Sequence, residues 1–263
     1  MTTGSYGFES GRDVSRYVRC DLFERDEGRI VGYAPVAAHL RGPHGGVRAG
    51  ALLTLLDQVG GVCGGLAALP DGWIVSTNIA ARVVAFAHAG PFRVEASLLR
   101  RGRNNVVASV RAVDEGNDDL IVADGVLTSA ILVPADGPPQ WTRPLALGAG
   151  PPLDEPPPFE EWLGVRIVDA RTIQILLADE LRNPWGILHG GVVASLVDIA
   201  TAHATGGDAC DVALHFLAPN RIGPVRAHVD VAGTRSDGTV CRVELTDVGA
   251  GRVTAVAAVT ARV

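Results

Sequence analysis

Residues 183–191 read Asn-Pro-Trp-Gly-Ile-Leu-His-Gly-Gly and run directly into the apolar stretch VVASLVDIATAHATGG at 192–207. The first part predicts a loop, since Asn, Pro and Gly favour turns. The second part is typical of a buried helix of about four turns. Gly190 and Gly191 would let another segment or a ligand approach the backbone closely. The first amides of a helix lack internal partners and lie at the positive end of its dipole, so they can hold an oxygen that gains negative charge.

Two residues of this stretch can carry chemistry, His189 at the start of the helix and Asp198 inside it. They are nine positions apart, which is about 13 Å along one helix. Both cannot touch one reacting carbonyl, which needs its partners within roughly 3 Å. If both ends do chemistry, each must be completed by a second copy of the same unit.

The first half of the chain contains such a copy. Residues 45–69 form a long apolar run that carries Asp57, and setting Asp57 on Asp198 pairs GGVRAGALLTLLD with GILHGGVVASLVD. Further pairs then coincide: Gly50 with Gly191, Leu55 with Leu196, Gly90-Pro91 with Gly223-Pro224, and Asp114 with Asp247. The order of elements recurs as well, so we interpret the chain as a tandem repeat.

The repeat divides the chain into four regions: an N-terminal arm at 1–16, a first repeat at 17–133, a linker at 134–158 and a second repeat at 159–263. Nine prolines crowd the linker. Because proline locks φ and removes an N–H donor, we expect an extended connection there.

Each repeat is predicted to hold a strand pair, one long helix and four further strands. The predicted strand pairs lie at 17–36, with a turn at 26–28, and at 164–178. A short helical turn is expected at 159–163 and the second long helix, with its loop, at about 182–206. The remaining strands are predicted at 73–87, 91–101, 105–114, 119–133, 209–218, 224–234, 239–247 and 251–263. The expected fold class is α+β, with two curved antiparallel sheets that each wrap a long central helix and join edge to edge.

Composition and charge narrow the range of expected partners and cellular locations. The 263 residues are 47% hydrophobic and carry a net charge of −6, which argues against nucleic acid and anionic membrane as general partners. The first residues lack the apolar core of a signal peptide, and the longest apolar runs fall short of about 20 residues, so no membrane helix is predicted. We expect a cytoplasmic protein. The four cysteines show no metal-binding spacing: Cys20, Cys63, Cys210 and Cys241.

The segment from Asn183 through Gly186 and His189-Gly190-Gly191 to Asp198 resembles the hotdog-fold acyl-CoA thioesterases of the phenylacetyl-CoA and hydroxybenzoyl-CoA type. The Asn, the His-Gly-Gly and the Asp all keep the spacing of that family. The resemblance covers the second half well and the first half weakly. It implies a double hotdog, in which one chain stands in for the usual homodimer of the family.

The resemblance implies a role for each matching residue. The amide of Gly190 would polarise the thioester carbonyl, while Asn183 and His189 would help to place the thioester. From the other half, Asp57 would act as general base or nucleophile. Ser76 would support the water with its hydroxyl, and its neighbour Thr77 and Gly191 would bind the substrate. The family needs no metal or redox cofactor, since CoA belongs to the substrate, and it implies homo-oligomers of such chains.

The mirror-image site departs from the family pattern. The first half has Arg48-Ala49-Gly50 at the position of His-Gly-Gly and Gly42 at that of the Asn, and the second half has Ala209 where the first has Ser76. We therefore expect one working site per chain and a second, degenerate site around Asp198, Arg48 and Ala49. Arg48 could hold a CoA phosphate or fill the degenerate site.

Several alternatives stay open at this point. Asp57 or Asp198 could be a solvent-facing helix residue, His189 a plain helix-start histidine, and Asn183 a turn residue. The protein could also be a non-catalytic acyl-CoA-binding or regulatory module that kept the groove and lost turnover. A hotdog-fold hydratase fits less well, because such enzymes usually place an Asp/His pair differently. No GxSxG elbow, P-loop or GxGxxG motif after a strand is present.

Overall fold

The computed structural model describes residues 14–26, 28–133, 137–138 and 140–262. The predicted arm at 1–16 lies outside this range, except for its last three residues. These residues begin a short helix, α1 (Val14–Val18), in which Val14, Tyr17 and Val18 are buried. Residues 14–16 of the predicted arm thus belong to a helix, whose apolar residues recur at helical spacing and bury one face.

The remaining elements follow the predicted order closely. After α1 come β1 (Asp21–Glu24), β2 (Arg29–Ala34), α2 (Ala49–Ala68), β3 (Trp73–Val83), β4 (Phe92–Arg101), β5 (Asn105–Asp114), β6 (Leu120–Leu132), β7 (Ala146–Leu147), α3 (Phe159–Trp162), β8 (Arg166–Asp169), β9 (Thr172–Ile175), α4 (Gly190–Thr205), β10 (Asp208–Phe216), β11 (Val225–Arg235), β12 (Gly238–Asp247) and β13 (Arg252–Arg262). Short 3-10 turns lie at Ala38–Leu40, Glu115–Asn117 and Asp179–Leu181. Of the predicted turn at 26–28, residue 27 lies outside the described residues.

The strands form one antiparallel sheet of 13 strands in the order β7-β1-β2-β4-β5-β6-β3-β10-β13-β12-β11-β9-β8. The predicted α+β class with antiparallel strands is confirmed. The two expected sheets are continuous with each other, because β3 pairs with β10 and sets Arg82 opposite Asp211 and Asn78 opposite His215. Read inward from β1 and from β8, the strand order of the two halves is the same.

Each long helix lies against the strands of its own half. The α2 helix contacts β2 to β6, and α4 contacts β9 to β13. Almost every residue of α2 is buried, which explains why its sequence is apolar on all sides. By length and composition α2 could cross a membrane, but 89% of its apolar window is buried inside the protein, as in a core helix.

The two helices cross where small residues let their backbones meet. A Cβ on Gly191 would lie 2.8 Å from Thr54 Cα, and one on Gly50 would lie 3.0 Å from Ser195 Cα. The hydroxyls of Thr54 and Ser195 are 2.9 Å apart, and each also lies within 3.0 Å of the carbonyl oxygens of Gly50 and Gly191. This network sets the start of each helix beside the middle of the other.

Two equivalent carboxylates fix the loops that lead into β4 and β11. Asp114 accepts the main-chain N–H groups of residues 88, 89 and 90, and Asp247 accepts those of residues 221, 222 and 223. Burial alone would raise the pKa of Asp247, but four amide donors outweigh it and hold that pKa below its ordinary value. The pKa of Asp114 is lowered by the same balance.

The linker does more than connect the halves. Within it, β7 pairs with the outer side of β1 and thereby extends the sheet by one strand. Leu145 is buried, and Arg143 forms an ion pair with Glu24. Part of the predicted extended linker is therefore a strand that covers one end of the sheet.

Candidate active site

Asp57 lies in the middle of α2, and its carboxylate faces the start of α4. The residue is only 5% exposed, so the solvent-facing alternative is wrong. A Cβ built on Gly190 would lie 2.7 Å from Asp57 Oδ2 and 2.9 Å from Oδ1. The carboxylate is therefore packed against the Gly190 backbone, and a side chain at position 190 would displace it. The helix crossing accounts for this meeting of residues from opposite halves.

Ser76 on β3 completes the surroundings of the carboxylate. Its hydroxyl donates a hydrogen bond of 2.7 Å to Asp57 Oδ1. The pairing of β3 with β6 shifts register between Ser76 and Asn78, so Thr77 sits in a β-bulge. Bulges re-aim neighbouring side chains. The Thr77 hydroxyl donates to the carbonyl of Thr128 at 3.0 Å and thus serves the sheet.

His189 caps α4 with its own ring. Its Nδ1 accepts the N–H of Gly191 at 3.0 Å and lies 3.6 Å from Asp57 Oδ2. An accepting Nδ1 places the proton of the neutral imidazole on Nε2. The amide of Gly191 is therefore occupied. The amide of Gly190, at the first position of the helix, has no partner within the helix.

Asn183 shapes the loop before α4. Its Oδ1 accepts the N–H groups of Trp185 at 3.0 Å and Ile187 at 3.4 Å, which is the turn-residue behaviour considered above. Within the described part of the chain, no contact joins Asn183 to Asp57 or Ser76. The structure thus brings together Asp57, Ser76, His189 and Gly190, with Asn183 on the supporting loop.

A supporting arginine was missed by the sequence analysis. Arg182 donates to the carbonyl of Gly186 at 2.6 Å, and Arg41 donates to that of Gly45 at 2.5 Å in the other half. Both arginines close the loop that precedes a long helix. The signal was available, because Arg41 and Arg182 coincide when the repeats are aligned through their helices.

The equivalent position in the other half is filled by an ion pair. Asp198 is fully buried, and its Oδ2 accepts from Arg48 Nε and from the amide of Gly50, each at 3.0 Å. Its Oδ1 accepts the amide of Ala209 at 3.2 Å. Arg48 is 4% exposed and also bonds Glu160 of α3 at 2.5 Å. The solvent-facing alternative for Asp198 is wrong, and the Arg48 guanidinium is committed to two carboxylates.

More charge surrounds that ion pair than the sequence analysis anticipated. Asp208 lies at the start of β10 with His44 Nε2 at 3.4 Å. Burial, followed by the nearby Asp198 charge, raises the pKa of Asp208, while His44 and Arg48 oppose the rise. No sequence signal pointed to Glu160, which reaches Arg48 only through the docking of α3.

The possible metal ligands, the cysteines and a cavity tell less about function than the Asp57 site does. In the described ranges, no group of three or more His, Cys, Asp or Glu side chains could hold a metal ion. The four cysteines are separate buried thiols, and burial raises the pKa of Cys63 to about 12. A cavity of about 210 Å³ is lined by Trp162 of α3, Arg166 of β8 and residues of the 176–181 segment, and none of its lining residues belongs to the Asp57 site.

Known proteins resemble the chain in structure. No protein-family model matches the sequence, and no curated protein sequence matches it. The 12:0-ACP thioesterase from Umbellularia californica has a TM-score of 0.63 at 13% identity, covering 98% of this chain and 99% of that one. An acyl-ACP thioesterase from Bacteroides thetaiotaomicron gives 0.60 at 12%, covering 90% and 99%. The tesB protein of Mycobacterium avium subs paratuberculosis gives 0.60 at 13%, covering 92% and 96%.

At such identities the likeness concerns the fold. The chain shares the fold of thioesterases across nearly the whole length of both chains. The hotdog fold implied by the sequence resemblance is thereby confirmed.

Proposed function

We propose that the protein is an acyl-CoA thioesterase of the double-hotdog form, which hydrolyses a thioester to a free acid and CoA at one composite site. The observation that carries the proposal is the contact between Asp57 and Gly190. A buried carboxylate from one half lies against the first residue of a helix from the other half. This pairing puts a proton acceptor beside a site for a developing oxyanion.

The proposed reaction uses each half once. The carbonyl oxygen of the thioester is held at the Gly190 amide, where the positive end of the α4 dipole stabilises the tetrahedral intermediate. Asp57 takes a proton from the attacking water, and the C–S bond breaks as the proton passes to the departing CoA sulfur. Ser76 fixes the orientation of Asp57 through its hydrogen bond to Oδ1. His189 holds the first turn of α4 in place.

A second route is chemically open to the same residues. Asp57 could attack the carbonyl directly, expel CoA and form an anhydride that water then hydrolyses. Label found in the enzyme after a single turnover in ¹⁸O-labelled water identifies the anhydride route. Attack by water puts the label in the acid, whereas hydrolysis of an anhydride at the Asp57 carbonyl puts it in the enzyme.

One working site per chain belongs to the proposal. In the mirror position, Ala49 replaces the helix-start glycine, Ala209 replaces the serine, and Arg48 forms an ion pair with Asp198. These differences support a degenerate second site that fills space and binds no thioester. A cytoplasmic location, independence from metal and redox cofactors, and assembly into homo-oligomers are further parts of the proposal.

The decisive experiment measures thiol release from a panel of acyl-CoAs by the wild type, Asp57→Asn and Asp198→Asn. Loss of the general base should reduce turnover by about 10²–10⁴-fold in Asp57→Asn. Asp198→Asn should keep turnover close to wild type in protein shown to be folded by circular dichroism. Equal losses in the two variants would contradict a single site. Acyl-CoA binding without thiol release would instead favour a non-catalytic binding module.

A further inference from the structure

The last strand of the sheet, β8, has an uncovered edge. All four of its residues are exposed, and Ile167 and Val168 remain 69% and 44% exposed. Its inner side pairs with β9, and no strand in the described part of the chain pairs with its outer side. An open edge presents unpaired N–H and C=O groups to any strand that can approach it.

The opposite end of the sheet is treated differently. There β1, the counterpart of β8, is covered by β7 of the linker. Leu145 beside it is buried, and Glu24 is paired with Arg143. Since the two halves are otherwise built alike, the missing cover on β8 is a specific difference between the ends.

The sequence of β8 is self-complementary. It reads Arg166-Ile167-Val168-Asp169, with a cation at one end and an anion at the other. Arg166 lies opposite Gln174 of β9. The register shifts between Ile167 and Asp169, so Asp169 lies opposite Thr172. Gln174 and Thr172 are two residues apart, so they point to the same face of the sheet.

The two charged residues of β8 therefore share a face as well. The other face carries Ile167, which lies opposite Ile173. Ile173 is 1% exposed and belongs to the core, so the apolar layer continues to the edge and ends uncovered at Ile167.

We propose that β8 is a homodimer interface, in which β8 of a second copy pairs with it in antiparallel orientation about a two-fold axis. That axis lies between Ile167 and Val168, and it sets Arg166 of each copy opposite Asp169 of the other. A two-fold interface must be complementary to itself, and this strand meets that condition. Asp169 already accepts the N–H of Arg171 at 2.8 Å, and a carboxylate keeps acceptor sites for a guanidinium.

Apolar and charged residues contribute differently to this interface. Ile167 and Val168 supply the apolar area, and Leu176, which directly follows β9, is 55% exposed and extends it. The two exposed ion pairs contribute little affinity but fix the register and disfavour other partners. This inference rests on the homo-oligomer included in the proposed function and names its interface, but it is independent of the activity because β8 carries no residue of the Asp57 site.

Charge exchange between copies tests the interface. Arg166→Asp alone sets two acids together across the axis, and Asp169→Arg alone sets two bases together. Mixed in equal amounts, the two variants form a heterodimer in which both pairs are complementary again. Sedimentation velocity should show a concentration-dependent dimer for the wild type, weaker dimers for each variant, and recovery for the mixture.

A second pair of variants tests the apolar part. Ile167→Lys should raise the dimer dissociation constant about tenfold or more, because the new charge loses solvent on pairing. Leu99→Lys is the matched control, since Leu99 is 59% exposed on β4, inside the sheet, and should leave the dimer unchanged. A wild type that stays monomeric, a mixture that shows no recovery, or equal effects of the two lysines would overturn the proposal. Thiol release by a monomeric wild type would leave the thioesterase proposal standing.

Discussion

Gly190 is the residue at which the two halves of the chain meet most closely in the site. A Cβ there would come within 2.7 Å of Asp57 Oδ2, so alanine must push the carboxylate away from the helix amide. A displacement of about 1 Å can cost about 10²-fold in rate, and we expect Gly190→Ala to lose at least that much of kcat. Ala49→Gly makes the reverse change in the mirror position and should leave kcat unchanged. An active Gly190→Ala enzyme would show that the amide and the carboxylate do not act together.

Ser76 acts on the same carboxylate from the sheet. Removing its hydroxyl loses one hydrogen bond to a charged group, worth roughly 1.5 kcal/mol, which corresponds to a roughly tenfold lower rate. Ser76→Ala should therefore lower kcat/KM about tenfold, as measured by thiol release. The control is Ala209→Ser, which restores the hydroxyl in the mirror position. If Ala209→Ser raised activity, the degenerate site would be functional after all.

Among the elements, the loops that enter β4 and β11 depend on one carboxylate each. The pKa of Asp247 is held below its ordinary value of 3.8 in the folded protein. Its contribution to stability is therefore fully present above about pH 4 and is lost as the pH falls through the lowered folded pKa. Asp247→Asn should cost about 2 kcal/mol at pH 7, and this difference from wild type should shrink at pH 3.

Urea unfolding at the two pH values measures that difference. The control is Asp237→Asn, because the Asp237 side chain is 58% exposed in a hairpin turn and its loss should matter little at either pH. A stability difference for Asp247→Asn that stays constant from pH 7 to pH 3 would contradict the role of its ionised form.

The same elements show what the sequence could predict. The long helices and the strands were found because apolar runs and Gly-Pro turns mark them directly. Aligning the repeats and the length of a helix predicted that each half completes the other, and the resemblance to a known family pointed to Asp57 and Gly190 as the residues that meet. By contrast, β7 and α1 are short, so their pairing and burial depend on distant partners that leave no local pattern. The role of Glu160 could not be predicted for the same reason, since its contact with Arg48 exists only after α3 has packed against the first half of the chain.

At the scale of the whole molecule, two similar halves have become unequal. One side of the helix crossing holds Asp57 and a glycine amide. The other holds Arg48 and Asp198, closed from outside by Glu160 of α3. Strand β7 of the linker also covers β1, whereas no strand among the described residues pairs with the outer side of β8. The asymmetry thus arises around the linker, because its strand β7 covers one end of the sheet and α3, which directly follows it, contacts the degenerate site.

Arg48 joins the two halves of the molecule, because it lies in the first repeat and bonds Asp198 of α4 and Glu160 of α3 in the second repeat. Removing one partner of a buried ion pair leaves an uncompensated charge, so Arg48→Met should destabilise the protein by about 3 kcal/mol. Arg82→Met is the matched control, since Arg82 also pairs across the two halves, with Asp211, but its side chain is 79% exposed. That exposed pair should contribute at most about 1 kcal/mol. Urea unfolding measures both changes, and equal losses would show that burial of the Arg48 pair has no special weight. Turnover of the folded Arg48→Met enzyme should match wild type, because Arg48 and Asp198 hold the halves together in the degenerate site, while the proposed chemistry takes place at Asp57 on the other side of the helix crossing.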